Sequence, residues 1–209
     1  MHGTRRKRTR PPPRGLARYL SAALLTGCLA GCHQEEPWKL ADVHGQLPDL
    51  SFAMTSDSGK PVTQAAFDGD IRLLYFGYTH CPDVCPQTMA KLAEVMGQLG
   101  ERAQHVKILF VTVDPARDTP KALHDYVDAF DARHAVGLTG TAGQIKALAQ
   151  RYRIAYQAEQ ARPDGSYDVS HSSVIEIFDA DGHARLVGSD SDSVADFVHD
   201  LRQLSAESS

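Results

Sequence analysis

The stretch Ile71-Arg72-Leu73-Leu74-Tyr75-Phe76-Gly77 runs without a break into Tyr78-Thr79-His80-Cys81-Pro82-Asp83-Val84-Cys85-Pro86. Its first half is short and almost wholly apolar, as a strand covered on both faces of a sheet must be. Its second half delivers two cysteines to the end of that strand. From residue 84 to 99 apolar side chains recur at helical spacing, with Met89, Leu92, Val95, Met96 and Leu99 on one side, and Gly100 stops the run. The pattern predicts a buried strand and an amphipathic helix with the cysteines at their junction.

Downstream, residues 107–113 predict another buried strand, and Thr119 with Pro120 at the first helical position opens a helix to about residue 130. Thr141 and Gln144 have the spacing of a capping box, followed by the apolar face Ile145, Leu148, Ala149 and Tyr152. Residues 174–178 and 184–187 flank Asp179-Ala180-Asp181-Gly182, a hairpin signal, and a last helix spans about 194–204. Upstream, residues 50–54 and 61–63 read as short strands around the turn Ser58-Gly59-Lys60. The main order, β-α-β-α-α-β-β-α, predicts an α/β fold with a central mixed sheet flanked by helices.

The N-terminal part is different in kind. Arg5, Arg6, Lys7, Arg8, Arg10, Arg14 and Arg18 precede an apolar run from about residue 19 to 30, and no acidic residue occurs before Glu35. The run falls short of the roughly 20 apolar residues a bilayer-spanning helix needs. It reads as a targeting segment. It ends in Leu29-Ala30-Gly31-Cys32, which resembles a bacterial lipoprotein signal, with Cys32 as the lipid site and Leu25-Thr26-Gly27-Cys28 as a second candidate. The expected organisation is a signal over residues 1–32, a polar tether over 33–46, and the domain over 47–209. Loss of residues 1–32 removes seven basic residues and no acidic ones, leaving a net charge of −11. So acidic a domain argues against a nucleic-acid partner. The expected location is the extracytoplasmic, periplasmic face of a bacterial membrane, held by the lipid.

In such a compartment disulfides persist, but the two domain cysteines, Cys81 and Cys85, cannot build a disulfide framework. Their spacing lets both sulfurs project on one face of a first helical turn. A helix N-terminus favours the thiolate, the form that attacks disulfides or binds metal. Two sulfurs suit copper(I) or zinc rather than magnesium or calcium, and need a third ligand. The chain has ten histidines, so type alone selects none. His171 stands at the entrance to the strand 174–178, where α/β sheets assemble sites. His80 competes, although a neighbour of Cys81 points away from the sulfurs in many backbone conformations.

These residues leave two main classes open: a protein that binds and transfers metal, and a thiol–disulfide oxidoreductase working through Cys81 and Cys85. The Cys-x-x-x-Cys spacing and the lack of proline between Ser166 and Phe178 count against a general thioredoxin. For a peroxidase related to the peroxiredoxins the sequence lacks the single peroxidatic cysteine in its family surroundings, and a structural zinc site would need Asp114 or water as a fourth ligand.

Residues 75–86, quoted above, resemble nearly residue for residue the hallmark segment of the Sco/SenC family of copper-binding cytochrome c oxidase assembly proteins. Val113-Asp114-Pro115-Ala116-Arg117-Asp118-Thr119-Pro120 looks like that family's second block, and Val169-Ser170-His171-Ser172 like its third. The resemblance runs from about residue 45 to the end, in the family's order. It implies a thioredoxin-like fold, a membrane tether, and one copper ion per chain held by Cys81, Cys85 and His171. It also implies a metallochaperone role: supplying copper to, or reducing the cysteines of, the binuclear copper centre in an oxidase subunit. Other copper carriers or thiol reductants would be further partners, and an oxidase client favours the inner membrane. The resemblance places Asp114 near the site, as a metal contact or a loop carboxylate. Family members usually carry Asp immediately before the ligand histidine, where this chain has Ser170. If that Asp orients the imidazole, either Asp168 substitutes or copper affinity is altered.

Overall fold

The computed structural model describes residues 2–3 and 36–207, so the lipid-site expectations for Cys28 and Cys32 fall outside the described residues. In chain order the elements are β1 (Ala41–Asp42), β2 (Ala53–Ser56), β3 (Pro61–Thr63), β4 (Ile71–Gly77), α1 (Val84–Leu99), β5 (Val106–Thr112), α2 (Pro120–Asp131), β6 (Ala135–Thr139), α3 (Ala142–Arg151), β7 (Tyr156–Ala158), β8 (Val169–His171), β9 (Val174–Phe178), β10 (Ala184–Ser189) and α4 (Val194–Glu207). Eight strands form one mixed sheet in the order β1-β10-β9-β4-β5-β6-β2-β3, and β7 and β8 pair as a separate ribbon. The β4–β5 and β5–β6 pairs are parallel and the others antiparallel.

Every residue of β4 is buried, so both faces of the sheet need cover. On one face Phe110 of β5 packs against Tyr126 of α2, with ring centroids 5.1 Å apart. Cys85 of α1 lies against Gly77 at the end of β4, and Gly188 of β10 abuts Phe197 of α4. On the opposite face Tyr152, at the end of α3, meets Phe178 edge-on at 5.3 Å. Three helices therefore cover one face and α3 the other. The two crossovers β4-α1-β5 and β5-α2-β6 advance in one direction through parallel neighbours, which puts both helices on the same side.

The local signals read in the sequence are present as side-chain chemistry. Thr119 Oγ1 accepts the Ala122 N–H at 3.2 Å, and Thr141 and Gln144 make the reciprocal capping box. Asp179 Oδ1 accepts N–H bonds from Asp181 and His183 and so closes the β9–β10 hairpin, with Gly182 at φ +93°.

The structure also departs from the expectations. The strand expected over 50–54 lies at Ala53–Ser56, although Leu50 and Phe52 are buried just outside it. β6 was not foreseen, because Gly137 interrupts its short apolar run. A Cβ on Gly137 would stand 2.8 Å from Leu123 Cβ, so the glycine permits α2 to lie close on this strand. The packed unit begins at Glu36, so part of the stretch expected as a tether belongs to it. There β1 pairs with β10, and the N–H groups of Lys39 and Leu40 donate to the buried Asp200 carboxylate. Among the described residues no helix is long and apolar enough to cross a membrane.

Candidate metal centre

The centre grows from the end of β4. A turn closed by the Cys81 N–H to the Tyr78 carbonyl at 3.2 Å separates β4 from α1. Because α1 begins at Val84, Cys81 precedes the helix and only Cys85 lies within it. The expected shared helical face is therefore replaced by a turn that folds Cys81 back, where its Sγ accepts the Cys85 N–H at 3.5 Å. Pro86 sits in the first turn, where its missing N–H would have had no partner within the helix. Cys85 is fully buried. A Cβ on Gly77 would stand 3.0 Å from its sulfur and 2.8 Å from the Phe110 ring, so only glycine seats the sulfur this close to the strand.

His171 arrives on β8. Alternation along that strand buries Val169, exposes Ser170 and leaves His171 half-buried, and the Val169 N–H donates to the Tyr78 hydroxyl at 3.3 Å. The rings of Tyr75 and Tyr78 stand edge-on to the imidazole, with centroids 6.2 and 6.0 Å away. His171 Nε2 lies 3.2 Å from Cys85 Sγ. The ligating atoms of Cys81, Cys85 and His171 all fall within 4.8 Å of one another, the only group of three or more such residues among those described.

The electrostatics suit a soft metal ion. His171 Nδ1–H donates to the Ser172 carbonyl at 3.0 Å, which leaves the Nε2 lone pair facing the sulfurs. Burial pulls the imidazole pKa down, keeping it neutral and able to coordinate. Burial pushes the Cys85 thiol up to about 12, so it keeps its proton at neutral pH until a cation replaces it. The donor set of two sulfurs and an imidazole fits copper(I).

The other residues singled out in the sequence lie around this centre. Asp114 is outside the converging group: its carboxylate accepts from Arg117 Nε and, at 2.8 Å, from the Tyr167 hydroxyl. Arg117 also stacks on the Tyr167 ring at 3.7 Å and donates to the Tyr167 carbonyl. Asp114 thus fastens the chain leading into β8 to the end of β5. Asp168 pairs with Arg162, so the group that orients the His171 ring is the Ser172 carbonyl. Asp118 was not foreseen. Buried, it accepts from the Thr79 N–H at 3.0 Å and from the Thr79 and Thr112 hydroxyls, both at 2.6 Å, bracing the Cys81 turn on β5. In the sequence it stands one residue before the Thr119 cap, with nothing local to tie it to Thr79.

A family model described as SCO1/SenC matches residues 43–206. The mitochondrial protein SCO2 of Saccharomyces cerevisiae is 37% identical over 134 residues, covering 63% of this chain and 44% of its own length. The mitochondrial SCO2 homolog of Bos taurus is 42% identical over 133 residues, covering 63% and 50%. The chain spans about half the length of these curated relatives. Among solved structures, Bradyrhizobium japonicum ScoI with copper bound superposes with a TM-score of 0.67 at 34% identity, over 74% of this chain and 97% of that one. Arabidopsis thaliana ScoI with copper bound gives 0.69 at 32% identity, over 74% and 96%.

Proposed function

The chain belongs to the SCO1/SenC family and has its thioredoxin-like fold, and from that premise we propose that it is a copper carrier in cytochrome c oxidase assembly. It binds one Cu(I) through Cys81, Cys85 and His171 Nε2 and passes it to the copper-centre subunit of the oxidase. The observation that carries this reading is the convergence of two sulfurs and a preset imidazole within 4.8 Å. Two solved relatives, the ScoI proteins of Arabidopsis thaliana and Bradyrhizobium japonicum, hold copper, which supports it. Copper is cargo here. Loading displaces the proton of Cys85, and the partly buried Cys81, the more accessible of the two sulfurs, offers the side from which a partner's ligand enters. The exchange is one ligand for another, with no change of oxidation state. The basic leader followed by an apolar run supports lipid attachment at Cys32 and work at the periplasmic face of the inner membrane.

One observation favours a second reading, thiol–disulfide exchange: Cys81 and Cys85 are both free, with their sulfurs within 4.8 Å. The Cys81 thiolate would attack a partner disulfide and release one partner thiolate, and Cys85 would then displace the other. Two electrons pass to the partner and a Cys81–Cys85 disulfide remains. The high pKa of Cys85 opposes the resolving step, whereas on loading a bound cation takes the place of the proton.

The two readings separate on His171→Ala, assayed for Cu(I) affinity by chelator competition and for the Cys81–Cys85 reduction potential. The carrier reading expects affinity to fall by about tenfold or more, with the potential nearly unchanged. Unchanged affinity would remove His171 from the site and favour disulfide exchange.

A further inference from the structure

His80 immediately precedes Cys81 in the turn that ends β4, yet it lies outside the group that converges within 4.8 Å. Its side chain is 53% exposed. Its orientation is nevertheless fixed by a chain of hydrogen bonds running out from the interior. Thr79 donates both its N–H and its only hydroxyl proton to the buried Asp118. With that proton committed, Thr79 Oγ1 meets His80 Nδ1 at 3.0 Å as an acceptor, so Nδ1 carries the hydrogen. Nε2 is left with its lone pair, and it has no hydrogen-bond partner among the described residues.

Satisfying Asp118 does not account for this arrangement. The carboxylate already takes three hydrogen bonds from Thr79 and Thr112, and His80 Nδ1 is 3.6 Å from its nearer oxygen. The arrangement parallels that of His171, whose Nδ1–H is likewise spent so that Nε2 is presented as a ligand. One imidazole presents Nε2 to the sulfurs, and the other, 53% exposed, belongs to the residue that precedes Cys81 in the chain. Cys85 is wholly buried while Cys81 is not, so the Cys81 side is where a metal ion can enter and leave.

Resting on the copper-carrier reading, we propose that His80 is a transfer ligand, whose Nε2 takes Cu(I) in transit between an external donor and Cys81. On loading, a Cu–Nε2 bond forms as the donor's ligand departs with its electron pair. The Cys81 thiolate then displaces the neutral imidazole, and copper stays Cu(I) throughout. Thr79 and Asp118 act as positioning residues, through His80.

The test is stopped-flow transfer of Cu(I) between bathocuproine disulfonate and the reduced full chain in detergent, followed by chelator absorbance, beside equilibrium competition. His80→Ala is expected to keep its affinity within about twofold of the unsubstituted protein while transfer slows by about tenfold in both directions. Added imidazole should restore part of the lost rate, and Thr79→Val should lie between the two. Transfer at the unsubstituted rate in His80→Ala would overturn the proposal. So would a loss of affinity as large as that of His171→Ala, which would make His80 a resident ligand. If the unsubstituted chain takes up no copper, the carrier reading falls first, and the missing uptake distinguishes that failure.

Discussion

A methyl group on residue 77 would press on both the Phe110 ring and the Cys85 sulfur. Gly77→Ala is therefore expected to cost about 1–3 kcal/mol in stability and to weaken copper binding together with it. Chemical denaturation and chelator competition on one sample check this, and unchanged values would mean the sulfur's seat is softer than the packing implies. Glu176 gives a second prediction. It is buried in β9 with Oε2 unpartnered, and burial alone raises its pKa to about 8. A raised carboxyl binds its proton more tightly in the folded state. Its stabilising effect is thus complete below the unfolded value near 4.5 and is lost as pH rises toward about 8. Within that window the contribution falls by about 1.4 kcal/mol per pH unit. Glu176→Gln should flatten the stability–pH curve there, as measured by urea denaturation at several pH values; an identical curve would contradict the assignment.

At the scale of elements, the β7–β8 ribbon carries His171 but contributes only three residues per strand, so other contacts must hold it. The Asp114–Tyr167 hydrogen bond and the Arg117 stack supply part of that hold. Tyr167→Phe keeps the stack and leaves Asp114 one donor short. It is expected to raise amide exchange across β8 and to weaken copper binding by a few-fold, about 0.5–1.5 kcal/mol. Exchange rates matching the unsubstituted protein would show that the ribbon stands without this bond. Elements were legible in the sequence where the pattern was long or chemically marked: β4, α1, the Thr119 and Thr141 caps and the Asp179 turn. β6, β7 and β8 were not, since a strand of three to five residues takes its stability from partners distant in sequence. The residues proposed as ligands follow the same division. Cys81 and Cys85 announce themselves by spacing, while His171 was raised by its place before the strand 174–178 and set in the ligand group by the family resemblance. The tautomers of His80 and His171 depend on Thr79 and on the Ser172 carbonyl, which sequence leaves undetermined.

Across the whole molecule, the start of the packed unit is held against its last helix. Asp200 of α4 is fully buried and accepts the N–H groups of Lys39 and Leu40, and His199 lies 2.7 Å from the same carboxylate and 2.9 Å from Glu36. Asp200→Ala strands two backbone donors and is expected to cost at least about 2 kcal/mol. Hydrogen exchange at Lys39 and Leu40 should rise while copper affinity stays within about twofold, because the change is remote from the centre. A fall in affinity matching that of a ligand substitution would show that the two ends of the molecule are coupled.

A copper carrier of this kind holds a single Cu(I) between two sulfurs and one imidazole. X-ray absorption at the copper edge of the reduced, copper-loaded chain tests it directly. One copper per chain is expected, with two sulfur scatterers and one imidazole nitrogen, the nitrogen disappearing in His171→Ala. Coordination by sulfur alone, or a nitrogen that persists in that variant, would contradict it.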